Sequence, residues 1–587
     1  MTDTLVQRDR VPEPVRDVLT PVGRAHVELL SSHWRRQFDA ARRFYVEDLA
    51  EDDVLYGFRR RVAPQAPGRP LTGWCREDSN VAFGQWISTL ARFAGSGDAA
   101  AGAKARRLAE GWFEVFRADR GLMMAHYPFD KLVGGLVDLA RYVDADLATT
   151  MLAEVVPVAV EALDRRNTPA AKTPANLADG DHLEWYTLTE NLLRAWRLTG
   201  DARYRDFADV WRYSSFWAAF EQTDRPTGLE GLHAYSHLNS IAGAAAVYAA
   251  TGDERHLRIA VHAHDWWRST QCYATGGFGP SERTVRADGS LGRALEFRAD
   301  SFESPCGSWA AFKLGRHLVT ATGDARFGHW TERLLVNGVG AALDISPNGE
   351  HTYYADYRVA GGMRTPYHDT YACCSGSFGQ AVTDYPELVY LTDGETVYVN
   401  QYVPSRLKLG GERGSVALRL EGDYVAAGTV TVTIDEVSGT FADQIAFRLP
   451  EWADEVLVER GAGAEAHRGA TDGWVRLDGR WRPGDGVRLT FPLALRAEAV
   501  DPQHPDRVAF ARGAAVLVFE ASHHEPLPAL TRDLEERLVP TERPDEWLLG
   551  SWQGEQLRTR VKPYWSTRPF EPYRMYVDLD RGPQQVC

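Results

Sequence analysis

The spacing of hydrophobic positions changes once along the chain and divides it into a helical part and a strand-rich part. From about residue 22 to residue 391, apolar residues recur at steps of three and four, as on one face of an α-helix. After about residue 393, short segments rich in valine and threonine alternate apolar and polar positions, and Gly- and Asp-rich turns separate them. This pattern predicts an α-helical domain followed by antiparallel β-sandwich structure.

A Gly-Asp pair recurs where predicted helices end. Three of the four copies are followed by an arginine and then an aromatic residue or histidine that restarts the helical pattern. A glycine that ends a helix about every fifty residues indicates helical hairpins, and hairpins bury their apolar faces by packing against one another. We therefore predict an (α/α)6 barrel whose loops surround a cleft at one end. The pairs are Gly97-Asp98, Gly200-Asp201, Gly252-Asp253 and Gly323-Asp324.

The length of 587 residues exceeds what one hydrophobic core supports, so several domains are expected. The pattern predicts an N-terminal lead-in at 1–20, a catalytic barrel at 21–392, a β-sandwich at 393–500, and a second β unit with the C-terminal strands at 501–587.

Charge and composition exclude several classes of function. The net charge of −15 argues against general affinity for nucleic acid or anionic membranes. The N-terminus has no signal-peptide pattern, and no apolar run is long enough to span a membrane. Six cysteines with poor pairing prospects fit a reducing compartment, so a cytoplasmic protein is predicted. The sequence is compatible with a homodimer.

Two of the six cysteines, Cys373 and Cys374, are neighbours. Adjacent Cα atoms lie about 3.8 Å apart, which is too close for a relaxed disulfide. Two adjacent thiolates with a third cysteine and a carboxylate can hold zinc tetrahedrally, and the Ser and Gly that follow the pair predict a turn. The alternative is a pair of buried, inert cysteines.

Other polar residues compete for a role in the cleft. Glu282 follows a glycine-rich loop at 276–279, and Glu296 is a second carboxylate in the same region. His126 and His233 each begin a predicted helix, where they could hydrogen-bond a polar ligand or serve only the fold. An acidic cluster lies near Trp185; its members are Asp181, His182, Glu184 and Glu190.

Several of these stretches together resemble the bacterial zinc-thiolate β-L-arabinofuranosidase family of glycoside hydrolases. The most specific are the Cys373-Cys374-Ser375-Gly376 element with its upstream Glu303…Cys306, and the loop 276–282. Less specific are Gly231-Leu232-His233-Ala234 and Leu449-Pro450-Glu451-Trp452-Ala453. The order and approximate spacing match from about residue 25 to residue 580.

The resemblance implies a catalytic barrel followed by β-sandwich domains, with zinc held by Glu303, Cys306, Cys373 and Cys374. It also implies that Cys373 is the nucleophile and Glu282 the general acid/base of a retaining exo-hydrolase acting on a small glycoside or oligosaccharide. The family commonly has one residue between its glutamate and cysteine, whereas two separate Glu303 from Cys306, which leaves this ligand open.

Four residues are predicted to contact the sugar. His233 and His126 are the two histidines described above. Asp130 stands where the family often carries histidine and Gln85 where some relatives do, which bears on the identity of the sugar. Two alternatives remain open at this level: an α/α-barrel glycosidase or lyase of other specificity that uses carboxylates, and a non-catalytic carbohydrate-binding protein with a structural zinc.

Overall fold

The structure is a computed structural model of the chain. It describes residues 17–165, 184–411, 414–439, 443–521, 527, 530–532, 534–550 and 559–580. The α-helices, in chain order, are α1 His33–Arg42, α2 Glu51–Arg59, α3 Asn80–Gly95, α4 Ala99–Asp119, α5 His126–Tyr142, α6 Ala145–Ala162, α7 Leu188–Thr199, α8 Ala202–Val210, α9 Ser214–Trp217, α10 Ala234–Thr251, α11 Glu254–Trp266, α12 Ser290–Ala294, α13 Ser304–Thr322, α14 Gly328–Asn337, α15 Cys373–Thr383, α16 Tyr385–Val389 and α17 Tyr424–Ala427.

Within these residues, six helices form a closed inner ring in the order α3, α5, α7, α10, α13 and α15, and α15 packs back against α3. Outside them, α4 packs on α3, α6 on α5, α8 on α7, α11 on α10, α14 on α13, and α1 on α15. The N-terminal helix α1 therefore completes the outer ring beside the last inner helix. The predicted (α/α)6 barrel is confirmed.

The Gly-Asp pairs join inner helices to outer helices, as predicted. Gly200, Gly252 and Gly323 end their helices with φ of 75°, 73° and 72°, in the left-handed region that glycine tolerates best. The aspartate that follows each glycine accepts a hydrogen bond from a backbone N–H of the next helical turn. Each inner helix with such a turn therefore ends at one end of the barrel and begins at the other.

The strands, in chain order, are β1 Thr20–Pro21, β2 Val27–Leu29, β3 Phe302–Glu303, β4 Tyr354–Ala355, β5 Gly362–Met363, β6 Tyr390–Thr392, β7 Val397–Val399, β8 Ser405–Gly411, β9 Gly414–Glu421, β10 Thr429–Gly439, β11 Gln444–Arg448, β12 Val456–Arg460, β13 Gly463–His467, β14 Trp474–Asp478, β15 Gly486–Thr490, β16 Leu495–Ala499, β17 Arg507–Arg512, β18 Ala515–Phe519, β19 Leu538–Pro540, β20 Trp547–Leu549, β21 Arg560–Pro563, β22 Pro572–Tyr573 and β23 Tyr576–Asp578.

The β region contains three large sheets. Their strand orders are β1-β6-β7-β11-β14, then β13-β12-β15-β10-β9-β8-β2, and finally β16-β17-β18-β21-β20-β19 with β23 beside β17. The pairing is antiparallel apart from β7 with β11 among the described strands. The predicted order of a helical barrel followed by antiparallel β structure is confirmed.

Two short N-terminal strands, β1 and β2, join the start of the chain to the first two of these sheets. Thr20 and Pro21 pair with Thr392 and Leu391, and β2 pairs with the edge strand β8. The barrel and the first two sheets share one continuous hydrophobic core, whereas the third sheet also has a smaller core of its own. The four residue ranges given for the domains stay a prediction. None of the helices in the described ranges has the length and apolar character needed to cross a membrane.

Candidate active site

A pocket of about 460 Å³ opens where the inner helices of the barrel begin. Every inner helix or the segment just before it contributes to the wall, because the hairpins bring all six inner N-termini to this end. The contributors are Val81 of α3, Tyr127 of α5, Glu184 before α7, His233 before α10, Glu303 before α13 and Cys373 of α15.

Three cysteines and a glutamate meet at the floor of this pocket. The Sγ atom of Cys306 lies 3.6 Å from that of Cys373 and 3.2 Å from that of Cys374. Oε1 of Glu303 lies 3.5 Å from both sulfurs of the adjacent pair. The side chain of Glu303 reaches the cluster although two residues separate it from Cys306.

The cysteine pair occupies the first turn of helix α15, so the predicted turn after Cys374 is wrong. Cys306 lies in the first turn of α13, directly after the Ser304-Pro305 start. A Cβ on Gly376 would lie 2.5 Å from Oε1 of Gln85, so the glycine is needed for close packing of α15 against α3 rather than for a turn. The positive end of each helix dipole favours thiolates at these positions.

The three thiols differ in how readily they lose a proton. Hydrogen bonds from the thiols of Cys306 and Cys374 lower the pKa of Cys373 well below its usual value and outweigh the effect of burial. Burial raises the pKa of Cys306 and of Cys374. The hydroxyl of Tyr353, 3.6 Å from Sγ of Cys373, is a further donor to this sulfur. Cys373 is therefore the sulfur that carries negative charge first.

The donor set fits a tetrahedral metal ion. The four ligand atoms lie within 4.8 Å of one another. A tetrahedron with sulfur about 2.3 Å from its centre has edges of roughly 3.8 Å, close to the sulfur–sulfur distances found here. Oε2 of Glu303 is buried and accepts no hydrogen bond within the described part of the chain, and Nε2 of His233 lies 3.9 Å from it, so this carboxylate keeps lone pairs that a cation could use. The cluster can hold a metal ion.

His233 lies between two carboxylates beside the cluster. Its Nδ1 is 2.7 Å from Oε1 of Glu184, and its Nε2 is 3.3 Å from Oε2 of Glu282. Burial acts to lower the pKa of His233, but Glu184, Glu282 and Glu303 outweigh it and raise this pKa well above its usual value. Burial acts to raise the pKa of Glu282, but hydrogen bonds from His233 and Tyr354 outweigh it and lower this pKa to about 2. The pocket therefore holds an imidazolium between carboxylates.

The loops that carry the two carboxylates have unusual backbone conformations. Glu184, Ser281 and Glu282 have φ values of 46°, 60° and 60°, in the left-handed region that L-residues rarely adopt. Arg298 donates to the Ser281 hydroxyl and to both Asp300 oxygens, and the Ser281 N–H donates to the Asp300 carbonyl at 2.9 Å. These contacts hold the loop in the conformation that presents Glu282 to the pocket.

The structure brings some of the predicted residues together and not others. Cys373, Glu282, Glu303 and His233 line the pocket, with Cys306 and Cys374 directly behind the floor. Glu296 instead contacts Arg507, away from the pocket wall. Glu190 is buried against Lys313 and His317. Asp181 and His182 lie outside the described residues.

Three residues predicted to contact the sugar do not line the pocket. Nε2 of His126 is 2.8 Å from the carbonyl oxygen of Asp164. Asp130 accepts from Lys131 at 2.8 Å and from Asn191 at 2.8 Å and is fully buried. Gln85 donates to Ser377 at 2.8 Å, within the α3–α15 contact. Their role in sugar binding stays a prediction.

Two tyrosines in the site were not identified from the sequence. Tyr353 contacts the Cys373 sulfur, and the hydroxyl of Tyr354 donates to Oε1 of Glu282 at 2.5 Å. Tyr354 belongs to β4, which pairs with β3 so that Tyr354 lies opposite Glu303. The stretch His351-Thr352-Tyr353-Tyr354 has no helical or strand periodicity. The one sequence signal that could have identified these tyrosines is an aromatic pair in a polar loop.

Two family models match the sequence, one in the helical barrel and one in the β region. The family model described as the beta-L-arabinofuranosidase GH127 catalytic domain matches residues 99–387, and that of the GH127 middle domain matches residues 396–493. No curated protein matches the sequence significantly.

Solved structures share the fold. A GH127 beta-arabinofuranosidase has a TM-score of 0.71 at 17% identity, with 96% of this chain and 98% of that chain covered. A GH127 beta-L-arabinofuranosidase from Geobacillus stearothermophilus T6 has a TM-score of 0.70 at 18% identity, with 94% of this chain and 100% of that chain covered. With the Cys/Glu cluster in place and both domain models matched in order, the chain belongs to the GH127 β-L-arabinofuranosidase family of glycoside hydrolases.

Proposed function

We propose that the chain is a retaining exo-hydrolase that releases a terminal β-L-arabinofuranosyl residue from a glycoside, with Cys373 as nucleophile and Glu282 as general acid/base. The single observation that carries this proposal is the position of the Cys373 sulfur, at the pocket floor within a cluster of metal-binding donors. Support for the sugar comes from the family, whose matched models are described as β-L-arabinofuranosidase domains.

Cys373 is the thiol best placed to attack a sugar. It is 8% exposed and lines the pocket, whereas Cys306 and Cys374 are fully buried. Zinc is the metal that best fits three thiolates and one carboxylate, and when bound by Glu303, Cys306, Cys373 and Cys374 it would keep the sulfurs deprotonated and fix their direction. The thiolate of Cys373 is the attacking species, since a thiol is a poor nucleophile.

The reaction proceeds in two displacements. The Cys373 sulfur forms a bond to the anomeric carbon while the bond from that carbon to the leaving oxygen breaks, and the leaving oxygen takes a proton. Water then attacks the same carbon, the carbon–sulfur bond breaks, and the water gives up a proton. Two inversions at one carbon leave its configuration unchanged.

Glu282 and His233 together supply the proton that the leaving oxygen takes. The neighbouring carboxylates raise the pKa of His233 and so favour a protonated imidazole, whose Nε2 is 3.3 Å from Oε2 of Glu282. We assign both proton transfers to Glu282. In the first step its carboxyl group delivers this proton to the leaving oxygen, and in the second step the same carboxylate removes a proton from water. The hydroxyl of Tyr354 orients the other carboxylate oxygen.

The form of the pocket supports attack at a chain end. The cluster of Glu303 and the three cysteines closes the pocket floor, so a sugar reaches Cys373 only by entering with its terminal residue first.

One observation favours a second mechanism. Glu184 and Glu282 both line the pocket and both contact His233, so two carboxylates are available for acid/base catalysis without sulfur chemistry. In that case the cysteine cluster would have a structural role and Cys373→Ala would keep its activity.

Identification of the sugar released and of its first-formed anomer tests the proposal. Incubation with a β-L-arabinofuranoside should release L-arabinose with β configuration in the first NMR spectra, and the matched α-L-arabinofuranoside should remain intact. With Glu282→Gln and a dinitrophenyl furanoside, which needs no acid to leave, the peptide that contains Cys373 should gain the mass of one pentosyl group. Inversion of configuration, or an unmodified Cys373 peptide in a variant that turns over the substrate, would contradict the proposal.

A further inference from the structure

Trp74 differs in its exposure from the other tryptophans that the structure describes. It is 45% exposed, and it is the only tryptophan among the large exposed hydrophobic residues of the described chain. Its side chain lines the same pocket as Cys373 and Glu282. Because Trp74 is exposed and lines this pocket, its flat apolar face is open to a ligand that enters it.

The backbone around Trp74 is fixed to the segment that leads into the cysteine pair. The Trp74 N–H donates to the carbonyl of Thr370 at 3.1 Å, and the Cys75 thiol donates to the carbonyl of Tyr371 at 3.4 Å. Gly73 has a φ of 58°, and a Cβ there would lie 2.1 Å from the Thr370 oxygen. The indole therefore has a rigid base although its ring is exposed, which reduces the entropy lost when a ligand packs on it.

The position of the ring relative to the nucleophile is also defined. The Trp74 ring centroid lies 6.2 Å from that of Tyr353, whose hydroxyl is 3.6 Å from Sγ of Cys373. One tyrosine side chain thus separates the indole from the attacking sulfur. Trp74 and Cys373 line the same pocket, so a group attached to a sugar beside Cys373 can reach the indole.

We propose that Trp74 is the binding platform for the leaving group, and that this leaving group is a sugar. The inference rests on the proposed function, since it needs a glycosyl unit at Cys373. An indole presents a flat apolar surface on which the C–H face of a sugar ring packs, and it carries no charge that would favour an ionic leaving group. Trp74 would then set the preference for sugar leaving groups over small ones.

The test compares two substrates that share one terminal sugar. One is a β-L-arabinofuranosyl disaccharide, and the other is methyl β-L-arabinofuranoside, which has no ring to pack on the indole. Trp74→Ala should lower kcat/KM for the disaccharide by roughly tenfold, mainly through KM, and change the methyl glycoside by less than about twofold. Trp74→Phe keeps an aromatic face and should recover most of the loss.

A matched control is available in Phe297, which is 68% exposed and lines a neighbouring cleft that does not contain Cys373. Phe297→Ala should leave kcat/KM for both substrates unchanged. If kcat/KM for the disaccharide fell selectively in Phe297→Ala and not in Trp74→Ala, the inference would be overturned, because the leaving group would then lie in the other cleft. Equal losses for both substrates in Trp74→Ala, or no loss for either, would also overturn it.

The wild type distinguishes this inference from the proposed function. If the wild type hydrolyses neither furanoside, the proposed function fails and the assignment of Trp74 fails with it. If the wild type hydrolyses both and Trp74→Ala shows no selectivity, only the assignment of Trp74 fails.

Discussion

Cys373→Ala and Cys374→Ala each remove one thiol from the cluster, but Cys373 lines the pocket and Cys374 is fully buried. If Cys373 is the nucleophile, the two variants should lose metal to a similar extent and differ sharply in turnover. Structural zinc sites bind with about 10–16 kcal/mol shared among four ligands, so each ligand carries about 3 kcal/mol. Loss of one thiolate should therefore weaken zinc binding roughly 150-fold in both variants.

Turnover at saturating zinc separates the two roles. Cys374→Ala keeps the attacking sulfur and lacks only a residue that orients the site. Its turnover should therefore recover to within about 100-fold of the wild type. Cys373→Ala lacks the sulfur that forms the bond and should remain lower by roughly 10⁴-fold or more. Elemental analysis gives the zinc content, and release of L-arabinose across a zinc titration gives the activity.

The fold of both variants is checked by thermal unfolding with and without added zinc. Bound metal stabilises the native state by RT ln(1 + [zinc]/Kd), so two variants with similar Kd should regain a similar part of their Tm when zinc is added. Recovery of Cys373→Ala to the level of Cys374→Ala would refute the nucleophile assignment and favour the mechanism that uses Glu184 and Glu282. Unchanged zinc content in both variants would refute the metal site.

Three further predictions concern the acid/base residue and the inner helices of the barrel. Tyr354→Phe removes a donor to the Glu282 carboxylate, so the pKa of Glu282 rises from about 2. Because the group that protonates the leaving oxygen acts in its protonated form, the basic limb of the kcat/KM profile should move up by roughly one pH unit, and an unchanged profile would contradict this. Arg92 and Arg194 outweigh burial and hold the pKa of Asp138 well below its usual value. The contribution of the Asp138 carboxylate to the free energy of unfolding is therefore complete above about pH 4 and is lost as pH falls through the depressed pKa. Asp138→Asn should lower the free energy of unfolding at pH 7 by about 3–5 kcal/mol. The same variant should show a smaller fall of Tm in acid than the wild type. Gly376→Ala forces a Cβ against Gln85 and should lower the free energy of unfolding by about 1–3 kcal/mol, and a Tm equal to the wild type would show that α3 and α15 can separate there.

The sequence by itself determined the barrel and the order of the domains. The three-and-four spacing of apolar residues fixes which face of each helix is buried, and the Gly-Asp pairs end one helix and begin the next through contacts within a few residues. Closure of the ring then follows because each hairpin leaves an apolar face uncovered. The family resemblance, carried by the Cys373-Cys374 element with Glu303 and Cys306 upstream, also selected the four members of the metal-binding cluster, whose ligand atoms lie within 4.8 Å of one another.

Only the tertiary structure decided which polar side chains meet in the pocket. His233 contacts Glu184 and Glu282, each about fifty residues away on a separate segment, and no local pattern encodes these distances. His126 begins a helix at the same end of the barrel as His233, yet its Nε2 lies beside the Asp164 carbonyl oxygen, outside the pocket wall. The predicted turn after Cys374 failed for a related reason, because packing of α15 against α3 requires a glycine within a helix. Local spacing fixes which elements form, whereas the direction of each polar side chain depends on long-range packing around the ring.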